Sequence, residues 1–161
     1  MRENDKMNLR FVQAAEEVFR KLSEELGSNL LAAYIYGSVA RGNCREGSDV
    51  DIHIVVKDYA QVEHFPHINW VDEIPVGVSP HSLSFYETTP EWILEHIDVA
   101  AGWEGLWELD KIIILYDPSN LVSPFKEKIT PILNNELLLK ARASISFKKA
   151  VTETAKVRKE L

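Results

Sequence analysis

Cysteine is almost absent from this chain: Cys44 stands alone among 161 residues. One thiol cannot close an internal disulfide, so no disulfide framework holds the fold and nothing points to an oxidising compartment. Long apolar runs are absent too; none approaches the roughly 20 residues of a membrane-spanning helix. The opening stretch, Met1-Arg2-Glu3-Asn4-Asp5-Lys6, is charged, but no apolar segment of a secretory signal follows it. Together these absences predict a cytoplasmic protein with no membrane partner. Positive charge is also scarce, with 18 Lys and Arg against 25 Asp and Glu, a formal net charge of −7. Polynucleotide affinity depends on Lys and Arg neutralising phosphates, so no nucleic-acid partner is expected. A mononucleotide escapes that exclusion, because a metal ion can supply the positive charge.

What is present is an ordinary globular composition, 45% apolar and 27% charged, long enough for one domain with a real core. Residues 9–26 carry Phe11, Ala14, Ala15, Val18, Phe19, Leu22 and Leu26 at helical spacing, and Gly27 stops them. Residues 30–36 form a short apolar run that reads as a buried strand. A polar loop follows, then β-branched residues predict a second strand over 49–56. Residues 57–70 are mixed and give no assignment. A third strand is predicted over 74–79, with extension towards Phe85. Thr89-Pro90 reads as a capped helix start, with a helix over 90–99 and another stretch over 103–109. Residues 112–116 predict a fourth strand ended by Asp117-Pro118, and Ser123-Pro124 opens another helix. Residues 134–161 read as a final helix without a stop signal, which points to packing on a helical partner, a second copy or a continuation beyond this stretch of chain. The order predicts a small α/β (α+β) domain, helices on a mixed sheet, over 1–120, and a C-terminal helical segment over 121–161.

One constellation carries chemistry. Tyr36-Gly37-Ser38-Val39-Ala40-Arg41-Gly42 ends the first strand, and Gly47-Ser48-Asp49-Val50-Asp51-Ile52 begins the second, with ten residues between Ser38 and Asp49. Alternate strand residues share a face, so Asp49 and Asp51 project together, their Cα atoms about 6–7 Å apart. Two such carboxylates can flank a hard cation, and Mg²⁺ is commonly held by one or two carboxylates plus substrate phosphates. Gly37 lets backbone approach a phosphate with no Cβ in the way, and Ser38 offers a hydroxyl and an N–H.

Gly-Ser, ten residues, then Asp-x-Asp resembles the signature of the DNA polymerase β-like nucleotidyltransferase superfamily. The longer string through Ala40-Arg41-Gly42 and Ser48-Asp49 resembles its small members, the minimal and aminoglycoside nucleotidyltransferases. The resemblance implies a nucleotidyltransferase fold. It implies Mg²⁺ on Asp49 and Asp51, and a nucleoside triphosphate, by default ATP, on Gly37, Ser38, Arg41 and Ser48. The implied reaction is attack of a hydroxyl, on a small molecule or a protein, at the α-phosphate.

The family pattern also carries a third carboxylate on the next strand, as metal ligand or base. Here that position falls on Gly77. Asp72 or Glu73 could reach in from the preceding turn. His81 shares strand parity with Gly77 and is the candidate base. His53 continues the parity of Asp49 and Asp51 at the edge of the site. If no group substitutes, the chain is instead a degenerate, antitoxin-like binding module. His64 and His67 are a weak zinc pair without cysteine. Trp103 and Trp107, four apart with Trp92 nearby, read as a packing stripe. Cys44 reads as an incidental loop residue.

Overall fold

The computed structural model describes residues 3–160, with side chains described for 7–152. Five strands form one mixed sheet: β1 (Leu30–Tyr36), β2 (Val50–Val56), β3 (Ile68–Val71), β4 (Ile74–Ser82) and β5 (Ile113–Tyr116). Their order is β3-β4-β2-β1-β5. β2 and β4 run parallel, while the other three pairings are antiparallel.

The alternation along β2 builds two cores. Val50, Ile52, Ile54 and Val56 face one side with Ile35, Val76 and Val78. They meet the apolar stripe of α1 (Glu3–Leu26), which contributes Phe11, Ala15, Val18 and Leu22, together with Val39 of α2 (Gly37–Arg41). On the opposite face, Tyr34 and Val55 pack against Tyr86, Ile93, Leu106, Leu109, Phe125, Ile129 and Leu138. This layer is made of the short helices α3 (Leu83–Tyr86), α4 (Pro90–Glu95), α5 (Ile97–Ala100), α6 (Glu104–Trp107) and α7 (Val122–Ile129), the segment after α6 that carries Leu109, and the start of the long α8 (Glu136–Glu160). Tyr34 and Tyr86 share a buried hydroxyl–hydroxyl hydrogen bond of 2.8 Å, which ties strand to helix.

Several elements differ from the expectation. β3 lies in the unassigned stretch. It is an edge strand with Ile68 and Trp70 exposed, so burial never imprinted an apolar pattern on it. A two-residue turn joins it to β4, with Asp72 in the left-handed region at φ 53°; Asp tolerates that conformation better than most residues. Asp49 precedes β2 rather than belonging to it. β4 runs to Ser82, where α3 takes over. The predicted helix over 90–99 breaks at His96, whose backbone leaves the helical region (φ −120°, ψ 44°). Its Nδ1 reaches the Trp92 carbonyl at 2.9 Å and its ring stacks on Trp92, so a side chain competes with the helix. Thr89 caps α4 as expected, accepting the Trp92 N–H. The stretch over 103–109 narrows to α6.

Ser123-Pro124 does not begin α7. Asp117 does, its two carboxylate oxygens accepting the N–H groups of Leu121 and Val122 at 2.7 and 2.9 Å. The final helix starts at Glu136, capped by Asn135; Leu161, its expected end, lies outside the described residues. Cys44 is in the loop but is buried against the first core, its thiol donating to Asn8 Oδ1 at 3.2 Å. No helix among the described residues is long and apolar enough to cross a membrane.

The start of α8 is anchored on the second core through the fully buried Leu138 and through Arg142, which donates to the Ala101 carbonyl and lies over the Trp107 ring. Leu138→Ala is therefore expected to cost about 2–5 kcal/mol in urea unfolding. A loss under about 0.5 kcal/mol would mean that α8 does not dock there in solution.

Candidate active site

The site is built where β1 ends and β2 begins. Tyr36↔Asp51 closes the β1–β2 register, and Asp51 faces Gly77 across the parallel β2–β4 pair. The position expected for a third acid is thus directly beside Asp51. A Cβ placed on Gly77 would stand 3.4 Å from Asp51 Oδ1. On the other side, Gly37 has φ 72°, and a Cβ there would meet Asp51 Oδ2 at 2.7 Å. The Asp51 carboxylate therefore sits in a slot between two glycines, and its own oxygen borders the space above Gly77.

Burial raises the Asp51 carboxyl to about 6, and the negative charges of Asp49 and Glu108 add to the effect, partly opposed by His53 and Arg41. A partly buried carboxylate crowded by two others is the electrostatic setting that a cation relieves. Asp49 itself is exposed. The donor set of two carboxylates beside an open backbone turn fits Mg²⁺, which takes oxygen ligands and keeps the remainder of its shell for phosphates and water. No cluster of three or more His, Cys, Asp or Glu residues able to hold a metal occurs among the described residues.

The other expected residues divide. Ser38 and Arg41 lie on the one-turn helix α2, which Gly37 opens. Ser48 instead holds its own turn, its hydroxyl accepting the Arg45 N–H at 2.8 Å. With Glu73, Ser48 lines a separate cavity beside Met7, Arg10 and Phe11 of α1. Asp72 is exposed in the β3–β4 turn. His81 pairs in register with Val55, four residues beyond Gly77 along β4. Burial and the nearby His53 lower its imidazole to about 3, so it is neutral. Its ring packs edge-on to His53 and against Phe85, and a Cβ on Gly105 would collide with it at 2.8 Å. Trp103 stacks on Trp92 at 5.2 Å, in keeping with a packing stripe.

Glu108 was not singled out by the sequence. It follows α6, and its Oε2 lies 2.6 Å from His53 Nε2. The other ring nitrogen, Nδ1, lies 3.3 Å from the Ser79 carbonyl oxygen. Both nitrogens thus face oxygen atoms, which fixes the ring. Tyr36 stacks on this ring at 4.0 Å. Parity alone pointed to His53; no local signal marks Glu108, because it arrives from a helix 55 residues further along the chain.

With this geometry in place, the comparisons identify the class. The family described as polymerase beta, nucleotidyltransferase matches residues 16–101, more than half of the chain, and the protein belongs to that family. A protein of Methanocaldococcus jannaschii, provisionally named a protein adenylyltransferase, is 25% identical over 130 residues, covering 73% of this chain and 80% of that protein. A crystal structure from Sulfolobus solfataricus, provisionally described as a nucleotidyltransferase, aligns with a TM-score of 0.44 at 17% identity, over 73% of this chain and 90% of that one. A toxin–antitoxin structure with AMP-PNP aligns with a TM-score of 0.43 at 15% identity, over 83% of this chain and 98% of that one.

Two outcomes follow from the slot. Gly37→Ala is expected to destabilise the fold by about 1–3 kcal/mol and to displace Asp51, since it combines a left-handed φ with a collision; an unchanged melting curve would refute the slot. For Asp51, a folded pKa raised above the unfolded 3.8 means that the folded state holds its proton longer. The destabilisation is small below pH 3.8, grows as pH rises and is complete above about 6. Without metal, Asp51→Asn should therefore raise Tm more at pH 7.5 than at pH 4, and an equal rise at both would contradict it.

Proposed function

We propose that the protein is a Mg²⁺-dependent nucleotidyltransferase that moves a nucleoside monophosphate, AMP by default, from the triphosphate to a hydroxyl. The observation that carries this reading is the Asp51 carboxylate held between Gly37 and Gly77 with Asp49 beside it. Membership of the nucleotidyltransferase family supports the reaction class, and the name of the Methanocaldococcus relative supports AMP and a protein acceptor.

In this reading Asp49 and Asp51 hold Mg²⁺, which when bound supplies the charge that offsets the triphosphate and the transition state. Gly37 leaves the backbone open to phosphate oxygens, and Ser38 offers its hydroxyl and N–H to them. Arg41, exposed on α2, adds a cation beside the phosphates. The acceptor oxygen bonds to the α-phosphorus, the bond to the bridging oxygen breaks, and pyrophosphate leaves with that electron pair. The protein contributes mainly position and electrostatics.

Calorimetric titration of ATP, with and without Mg²⁺, tests the site. Mg²⁺-dependent binding is expected in the native chain and should be lost in Asp49→Asn. Asp51→Asn is expected to lower pyrophosphate release on the order of 100-fold or more, the scale of losing a metal's stabilisation of the transition state. Absence of Mg²⁺-dependent binding in the native chain would sink the reading. Gly77 favours a second reading, a nucleotide-binding module that no longer transfers, and Mg²⁺–ATP binding with no pyrophosphate release to any acceptor would identify it.

A further inference from the structure

We propose that Glu108 is the general base of this site and that the cavity it lines is the acceptor pocket, built for a hydroxyl on a neutral or cationic group and closed to anions. The proposal rests on the transferase reading above and deepens it. The cavity measures about 610 Å³; it is lined by His53, which shares the Asp51 face of β2, and by Tyr36, the β1 partner of Asp51 in the sheet. Residues two apart on a strand are about 6–7 Å apart and share a face, so His53, which holds Glu108, is the next residue on the Asp51 face of β2. The negative charge of Glu108 is felt at Asp51.

Glu108 has the attributes the missing third carboxylate would need. One of its oxygens is fixed by His53 at 2.6 Å, while 27% of the side chain stays exposed at the cavity it lines. His53 is 3% exposed and engaged at both nitrogens, so it is a positioning residue and not itself the base. His81, the base expected from strand parity, is pressed between His53, Phe85 and Gly105. Gly77 then has a reason: Asp51 borders the space there, and the acid is delivered from the end of α6.

The lining also limits the acceptor. Glu104 and Glu108 are both in the wall, with Phe85 and Trp103 as apolar surface and Ser79 and Ser82 as hydrogen-bonding groups, and among the described residues no lysine or arginine lines it. Lys149 reaches Glu104 at 3.0 Å from α8 and is largely exposed. An anionic acceptor would enter past these two glutamates with no cation among the described lining residues to receive it. In the step itself, the acceptor hydroxyl proton passes to the Glu108 carboxylate as its oxygen bonds to the α-phosphorus, and pyrophosphate departs with the electrons of the broken bond.

The test measures pyrophosphate release from Mg²⁺–ATP with three acceptors: ethanolamine, a serine peptide flanked by lysines, and the same peptide flanked by glutamates. Transfer to ethanolamine, to the lysine peptide or to both is expected, and the two arms separate a free amino alcohol from a basic peptide. The glutamate peptide should be inert. Glu108→Gln should lower kcat on the order of 100-fold with ATP affinity, measured by calorimetry, unchanged within about twofold. Glu108→Asp, which keeps a carboxylate, should retain more activity than Glu108→Gln, which keeps the shape; a purely structural role would reverse that order. The proposal is overturned if Glu108→Gln transfers at the native rate, if Glu108→Asp is no more active than Glu108→Gln, if the glutamate peptide is the better acceptor, or if the native chain binds Mg²⁺–ATP and modifies neither cationic acceptor. Failure of the native chain to bind Mg²⁺–ATP overturns the transferase reading, and this one with it.

Discussion

The rest of the site depends on one close approach. The Asp51 carboxylate lies between two backbones that carry no side chain, Gly37 at the end of β1 and Gly77 on β4. Three strands must be in register for this to happen, and the parallel β2–β4 pair is the part that needs long-range folding. A one-residue slip would send Asp51 into the α1 core and turn Val50 or Ile52 towards the site. The apolar alternation of β2 forbids that slip, because it would expose the first core and bury a carboxylate. Packing and the proposed chemistry therefore impose the same register.

The two faces of the sheet divide the labour. The face under α1 is uniformly apolar and fixes the strands. The other is apolar only in part; it begins with Asp51 and His53 and becomes core at Tyr34 and Val55. The short helices α3–α6 cover that core and stop at its polar end, leaving the cavity with Tyr36, His53 and Glu108 in its wall. Charge accumulates there: burial and neighbouring carboxylates hold Asp51 well above the usual carboxylate range, while His81 is kept neutral.

Legibility followed burial. The strand over 30–36 and the apolar stripe of α1 could be read directly, because continuous or periodic burial writes a pattern into the chain. β3 could not be read, since half of its side chains face solvent and its pairing comes from the turn at Asp72. The break at His96 was hidden as well; it depends on one side chain meeting the Trp92 carbonyl. Asp117 was read as a turn residue, and only the folded chain shows its carboxylate capping α7.

The sequence by itself determined the strand–turn–strand unit with Gly37, Ser38, Asp49 and Asp51, because those residues are local and their spacing reports strand periodicity. That Gly77 stands where an acid is expected came from the resemblance to the family pattern and not from the residues alone. What the tertiary structure decided is everything that meets this unit from afar: Asp51 bordering the space over Gly77, Ser48 and Glu73 lining a different cavity, and Glu108 docking on His53. Those outcomes depend on how the helices after β4 pack onto the second face. Nothing in the spacing of residues along the chain encodes a contact made 55 positions away.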